Sequence, residues 1–125
     1  MTTFTGLVPV FTVRELDRSI GFYVEHLDFE LDFVYGTPGV YAGLFKDAVA
    51  LHLIDESSPN ASQPTGSGNL SILTDEVDDL HQRLVAVGIE MLEPPGDRDY
   101  GLRDFSCRDR DGNRLNFSTP PRRMT

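Results

Sequence analysis

A strand, a helix and three more strands can be read along this chain, and then the same series can be read a second time. In the first copy, Leu7-Val8-Pro9-Val10-Phe11-Thr12-Val13 predicts a strand. Leu16, Ile20, Tyr23, Val24 and Leu27 follow at offsets of 4, 7, 8 and 11, the apolar stripe of an amphipathic helix. Glu15 or Asp17 stands at its N-terminal end, where the backbone dipole favours negative charge. Phe29 to Tyr35 alternates apolar and acidic side chains, as a half-buried strand does. Gly36-Thr37-Pro38-Gly39 is a turn, and Val40 to Phe45 and Val49 to Ile54 are two short strands joined at Lys46-Asp47.

The second copy starts after Asp55 to Gly68, a Ser-, Pro-, Asn- and Gly-rich stretch without periodicity that reads as a surface linker. Asn69 to Thr74 predicts a strand, and Val77, Leu80, Leu84 and Val87 a helix that Gly88 stops. Ile89 to Leu92 is a strand, and Pro94-Pro95-Gly96 opens a loop. Phe105 to Asp109 and Arg114 to Ser118 form a hairpin around Arg110-Asp111-Gly112-Asn113. A shift of 61 carries Leu16 onto Val77 and Tyr23 onto Leu84; a shift of 64 carries Lys46-Asp47 onto Arg110-Asp111, Leu51 onto Leu115 and Tyr41 onto Phe105. The change of shift puts a three-residue insertion in the loop from Pro94 to Arg103.

Such a repeat implies an α+β fold of two βαβββ modules, their strands forming a cupped, barrel-like mixed sheet with the helices outside. The expected domain is 1–125, with module 1 at about 7–54, a linker at 55–68 and module 2 at about 69–119. Strand side chains alternate between faces. One set is apolar and belongs under the helices: Pro9, Phe11, Val13, Leu51, Leu53, Leu70, Ile72, Leu115 and Phe117. The opposite set mixes apolar and polar groups, as a small-molecule pocket or an open wet sheet would: Val8, Val10, Thr12, Ala50, His52, Ile54, Asn69, Ser71, Leu73, Arg114, Asn116 and Ser118.

Charge narrows the partners. Twenty acidic against eleven basic side chains give a net charge of -9, which repels phosphate backbones and speaks against nucleic acid. The same charge keeps a protein soluble or attracts cationic ligands. No apolar run suits a membrane span, and Met1 to Gly6 lacks the basic and apolar pattern of a secretory signal, so a cytoplasmic protein is expected. Cys107, the one cysteine, fits a reducing compartment and reads as a passive sheet residue. His26 and His81 read as surface histidines.

Val8-Pro9-Val10-Phe11, Asp17-Arg18-Ser19-Ile20-Gly21-Phe22-Tyr23, Leu27-Asp28-Phe29 and Asp109-Arg110-Asp111-Gly112-Asn113 resemble the glyoxalase/bleomycin-resistance/dioxygenase family, the vicinal oxygen chelate superfamily. The resemblance runs from about Leu7 to Thr119. It implies paired βαβββ modules, usually in a homodimer, with pockets formed by the cupped sheets. Metal-dependent members place His, Glu or Gln at four inward strand positions, which fall here on Val8, His52, Asn69 and Asn116. Only His52 is a good ligand for a divalent transition metal; Val8 has no donor atom, and Asn69 and Asn116 are weak amides.

Within the family the chain looks most like bleomycin-resistance binding proteins, which lack the metal set and stack a flat cationic drug on aromatics in a dimer groove. The matching aromatics are Tyr41 and Tyr100; packing at a dimer interface is their blander role. The chain departs from that pattern in having no Trp, in His52, and in the positive charge of Arg114. The expected ligand-binding set is Val10, Tyr41, His52, Asn69, Ser71, Tyr100, Arg114 and Asn116, with no metal ligands and His52 a weak candidate for a general base. Three readings follow. The first is a metal-free protein sequestering a cationic or aromatic small molecule, as in antibiotic resistance. The second is a lyase, isomerase or dioxygenase using His52, with a divalent metal as the alternative cofactor. The third is an interaction module whose cup is filled by side chains.

Overall fold

The computed structural model describes residues 1–119; the last six residues of the expected domain lie outside the described ones. The elements are β1 (Val10–Val13), α1 (Leu16–Leu27), β2 (Glu30–Tyr35), β3 (Tyr41–Lys46), β4 (Val49–Asp55), β5 (Asn69–Leu73), α2 (Val77–Ala86), β6 (Met91–Asp97), β7 (Arg103–Arg108) and β8 (Arg114–Ser118). The strands form two separate four-stranded sheets, ordered β1-β4-β3-β2 and β5-β8-β7-β6. In each, the first strand pairs in parallel with the last and the other pairs are antiparallel. The α+β class and the doubled βαβββ unit are therefore as expected. The chain divides into two compact units, with the break between Thr65 and Gly66.

In the first unit the helix-facing side of the sheet carries Phe11, Val13, Ala42, Leu44, Leu51 and Leu53, all buried. Leu16, Tyr23 and Leu27 of α1 are buried as the stripe requires, joined by Ser19 and Phe22. Val24, expected in the stripe, is exposed. Each large apolar side chain taken out of water contributes about 1.5–3 kcal/mol, which makes this layer the main support of the unit.

Glu15 is the N-cap of α1 and Asp17 lies in its first turn, as expected, but Glu15 makes no side-chain capping hydrogen bond. The cap comes from far along the chain: the Leu16 amide donates to Asp55 Oδ2 at 3.1 Å. The helix ends at Asp28, whose φ of 59° lies in the left-handed region that Asp tolerates better than most residues.

The second unit repeats this layering with Phe105, Cys107, Leu115 and Phe117 against Val77, Leu80 and Leu84 of α2. Two details differ from expectation. Pro94, Pro95 and Gly96 lie within β6 rather than in a loop. That strand is at the sheet edge and its pairing with β7 is broken at two places, where residues lacking an amide donor cost no ladder bond. The hairpins also differ by one residue. The Asp109 amide donates to the Asn113 carbonyl across a three-residue turn, whereas Lys46 pairs with Val49 across two. Counting back along the strands, Tyr41 corresponds to Asp104 and not to Phe105. Phe105 faces the helix and is buried.

The turn itself explains the Asp109–Asn113 motif. Asp109 Oδ1 accepts the amides of Asp111 and Asn113, and Asp109 Oδ2 accepts the Asn113 side-chain amide at 2.8 Å. Asn113 Oδ1 in turn accepts the Gly68 amide at 2.7 Å, tying the start of β5 to the hairpin. Gly66 has φ +78°, and a Cβ there would stand 2.3 Å from the Asp111 carbonyl oxygen, so only glycine fits.

Candidate functional site

The sheet registers of the first unit place the open-face side chains in two rows. One row across β1, β4, β3 and β2 is Val10, His52, Gly43 and Phe33. The next is Thr12, Ile54, Tyr41 and Tyr35. Gly43 is the key to the first row. A Cβ there would lie 2.3 Å from the Phe33 ring, so the missing side chain is the space in which that ring rests. A break in the β2–β3 register between Leu31 and Phe33 aims Phe33 at this space.

The result is a cluster of three rings. Phe33 stacks on Tyr41 with centroids 6.2 Å apart and planes at 15°. His52 meets both edge-on, at 5.4 Å from Phe33 and 5.3 Å from Tyr41. The Tyr41 hydroxyl and His52 Nδ1 share a hydrogen bond of 2.8 Å. Burial pushes the Tyr41 hydroxyl pKa up, so the phenol stays neutral well above physiological pH.

Beside this cluster lies a cavity of about 660 Å³, a size suited to a drug-like ligand. Val10, Thr12, Phe33, Val34, Tyr35, Val40, Tyr41 and Ile54 form its sheet side, and Ser58, Asn60, Ser62 and Gln63 its other side. Among the described residues, none of those lining it is charged. His52 stands against the rings and is not itself a lining residue.

The linker is thus a structured wall. The Asp55 carboxylate accepts the Ser57 amide at 3.0 Å and the Ser57 hydroxyl at 2.7 Å. Burial alone would raise the Asp55 pKa, but these bonds and the one from Leu16 outweigh it and hold the carboxyl below its ordinary value. Ser58 is buried and its Oγ accepts the Asn60 amide. Thr65 Oγ1 donates to Glu56 Oε1 at 2.7 Å, closing the segment on itself. Composition alone marked this stretch as a surface linker; Phe33, Gly43 and the wall residues went unread because a register break and a docked loop leave no periodic signal.

The open face of the second unit is polar. Asn69, Ser71, Arg114 and Asn116 come together there: the Asn116 side-chain amide donates to Asn69 Oδ1 at 2.8 Å and to the Leu70 carbonyl at 3.1 Å. Arg114 donates to Asn116 Oδ1 at 2.8 Å and to Ser106 Oγ at 3.1 Å, and lies 3.6 Å from Glu93. Tyr100 reaches this group only indirectly, through Asp104, Arg98 and Glu93. The residue is 66% exposed and its hydroxyl donates to Asp104, which also pairs with Arg98 at 2.7 Å. Burial would raise the Asp104 pKa, but the bonds from Tyr100 and Arg98 win and lower it.

The donors at the family's metal positions do not fit a divalent transition metal. Val8 has none, His52 has one ring nitrogen engaged by Tyr41, and the Asn116 and Asn69 amides bond to each other. Among the described residues, no three His, Cys, Asp or Glu side chains stand together as metal ligands would. His26 and His81 are half-buried rather than fully at the surface. Each ring packs edge-on against a phenyl group, Phe22 and Phe105 respectively. Cys107 is fully buried, and burial with the nearby Asp109 charge pushes its thiol up to about 12.

Two βαβββ units, one with a ligand-sized hollow on its sheet face, define the scaffold. The family profile described as the Glyoxalase/Bleomycin resistance protein/Dioxygenase superfamily matches residues 7–117, and the chain belongs to that superfamily. No curated protein sequence matches it. Solved structures of the same fold include TioX from Micromonospora sp. ML1, at 21% identity and a TM-score of 0.80 over 93% of this chain and 98% of that one. A virulence protein from Salmonella typhimurium shares 26% identity, with a TM-score of 0.77 over 95% of this chain and 98% of its own. A lactoylglutathione lyase from Agrobacterium tumefaciens shares 21% identity, with a TM-score of 0.75 over 94% of this chain and 96% of that one. At these identities TioX and the lyase speak for the fold alone. Among the described residues no helix is long and apolar enough to cross a membrane.

Proposed function

We propose that this protein binds a flat aromatic or cationic small molecule without a metal, in the hollow beside Phe33 and Tyr41, and works as a cytoplasmic homodimer of the bleomycin-resistance type. The observation that carries the reading is the cavity of about 660 Å³, whose described lining residues are uncharged and include three aromatic side chains. Aromatic stacking contributes about 0.5–1.5 kcal/mol per pair beyond area burial, and a ring face also holds a diffuse cation. The alternative is a metal-dependent lyase, isomerase or dioxygenase using His52. It requires two or more further strong ligands, and the residues at the family positions supply only amides and an alkyl group.

Calorimetric titration of a panel of flat aromatic compounds tests the proposal. Binding that weakens in Tyr41→Ala supports it; no binding by any compound refutes it. Elemental analysis of protein purified without chelator tests the alternative. Stoichiometric zinc, nickel, iron or manganese that is lost in His52→Ala would establish the metal enzyme in its place.

A further inference from the structure

We infer that the segment Ser58–Gln63 selects the ligand, reading uncharged hydrogen-bonding groups on the edge of an aromatic molecule whose face lies on Phe33 and Tyr41. This rests on the module 1 hollow being the small-molecule site, and it names what that site distinguishes.

The hollow has two unlike sides. The sheet side offers mostly rings and aliphatic groups, its hydroxyls being those of Thr12, Tyr35 and Tyr41, the last bonded to His52. The segment side offers two hydroxyls and two carboxamides, which can both donate and accept. The Ser58 hydroxyl oxygen already accepts the Asn60 amide, but a molecule filling the space with only apolar edges would take water from Asn60, Ser62 and Gln63 without replacing it, which is costly. A hydroxyl, carbonyl or amide on the ligand edge satisfies them. An anionic substituent is disfavoured twice. Among the described residues the wall holds no cation, and residues 1–65 carry nine acidic side chains against three basic ones, a net charge of -6.

The wall is also held in place, as a selective surface must be. Asp55 fixes its start through Ser57 and Leu16. A turn from Ser58 to Ala61 shapes its middle, and the Glu56–Thr65 bond closes it while drawing the Glu56 carboxylate to the segment's own end. Asn60 and Gln63 are exposed, so apolar replacements there leave the core untouched.

Three matched probes test this: 2-naphthamide, 2-ethylnaphthalene and 2-naphthoate, titrated into the full chain and followed by calorimetry. Wild type is expected to bind the amide on the order of tenfold more tightly than the ethyl compound, with the naphthoate weakest. The double variant Asn60→Leu/Gln63→Leu should erase the difference between amide and ethyl compound while keeping affinity for the latter. Phe33→Ala should weaken both. Ring binding without amide preference, or a preference that survives the double variant, overturns the inference and leaves the site reading intact. Failure of all three probes overturns both.

Discussion

Gly43 shows how one residue shapes the proposed site by what it lacks. The Phe33 ring lies where a Cβ would be, 2.3 Å from its nearest atom, and from there it reaches both Tyr41 and His52. Gly43→Ala must push the ring away, and we expect it to weaken binding of a flat aromatic probe by about tenfold. Titration of the variant checks this, with circular dichroism confirming that the sheet persists. Cys107 makes an opposite case, a reactive side chain kept inert. Only the thiolate attacks, and a thiol pushed up to about 12 by burial and by Asp109 holds almost none at neutral pH. The native protein should therefore react with a thiol reagent orders of magnitude more slowly than the same protein in denaturant; equal rates would contradict the burial.

The linker between the modules is the element with the most consequences. Asp55 joins its start to the N-terminus of α1, in place of the cap that Glu15 does not make. Replacing Asp55 by Ala removes that cap and the hold on Ser57, at about 1 kcal/mol, or roughly 3–6 °C in melting temperature. The pH dependence has a definite sign. The Asp55 carboxyl titrates lower in the folded chain than its ordinary value, so its contribution is complete above the unfolded value of about 3.9 and fades as pH falls through the folded one. Asp55→Asn should flatten that part of the acid stability curve, measured by thermal melts across pH. The strand-by-strand pattern was legible because period-two and helical stripes mark both modules. The linker's role was not, since its order comes from side-chain bonds to distant backbone, such as Leu16 and Asp55, which composition does not reveal. Likewise Pro94-Pro95-Gly96 reads as a loop until the edge position of β6 accounts for it.

Across the whole molecule, the repeat delivered the fold, and the resemblance to the superfamily is matched by the family profile over residues 7–117. The face assignment of His52, Asn69 and Asn116 came from alternation alone and agrees with the strand registers. Asn69, Ser71, Arg114 and Asn116 stand together on the second sheet, and Tyr100 is bonded to Asp104, which Arg98 and Glu93 connect to Arg114. Edge strand β2 exposes Phe33 and Tyr35 on the open face and Leu31 and Val34 on the other, apolar side chains along a strand with a free edge. On the homodimer reading, light scattering should give twice the mass of 14.0 kDa, and Leu31→Glu/Val34→Glu should reduce it.

The central claim is that an aromatic hollow, and no metal, does the binding. Titrating proflavine, a flat cation, into protein before and after exhaustive treatment with EDTA tests it most directly, with Phe33→Ala as the comparison. The account predicts the same affinity in both preparations and a loss of about tenfold in the variant. Binding that vanishes with chelator and returns with added zinc or nickel would contradict it.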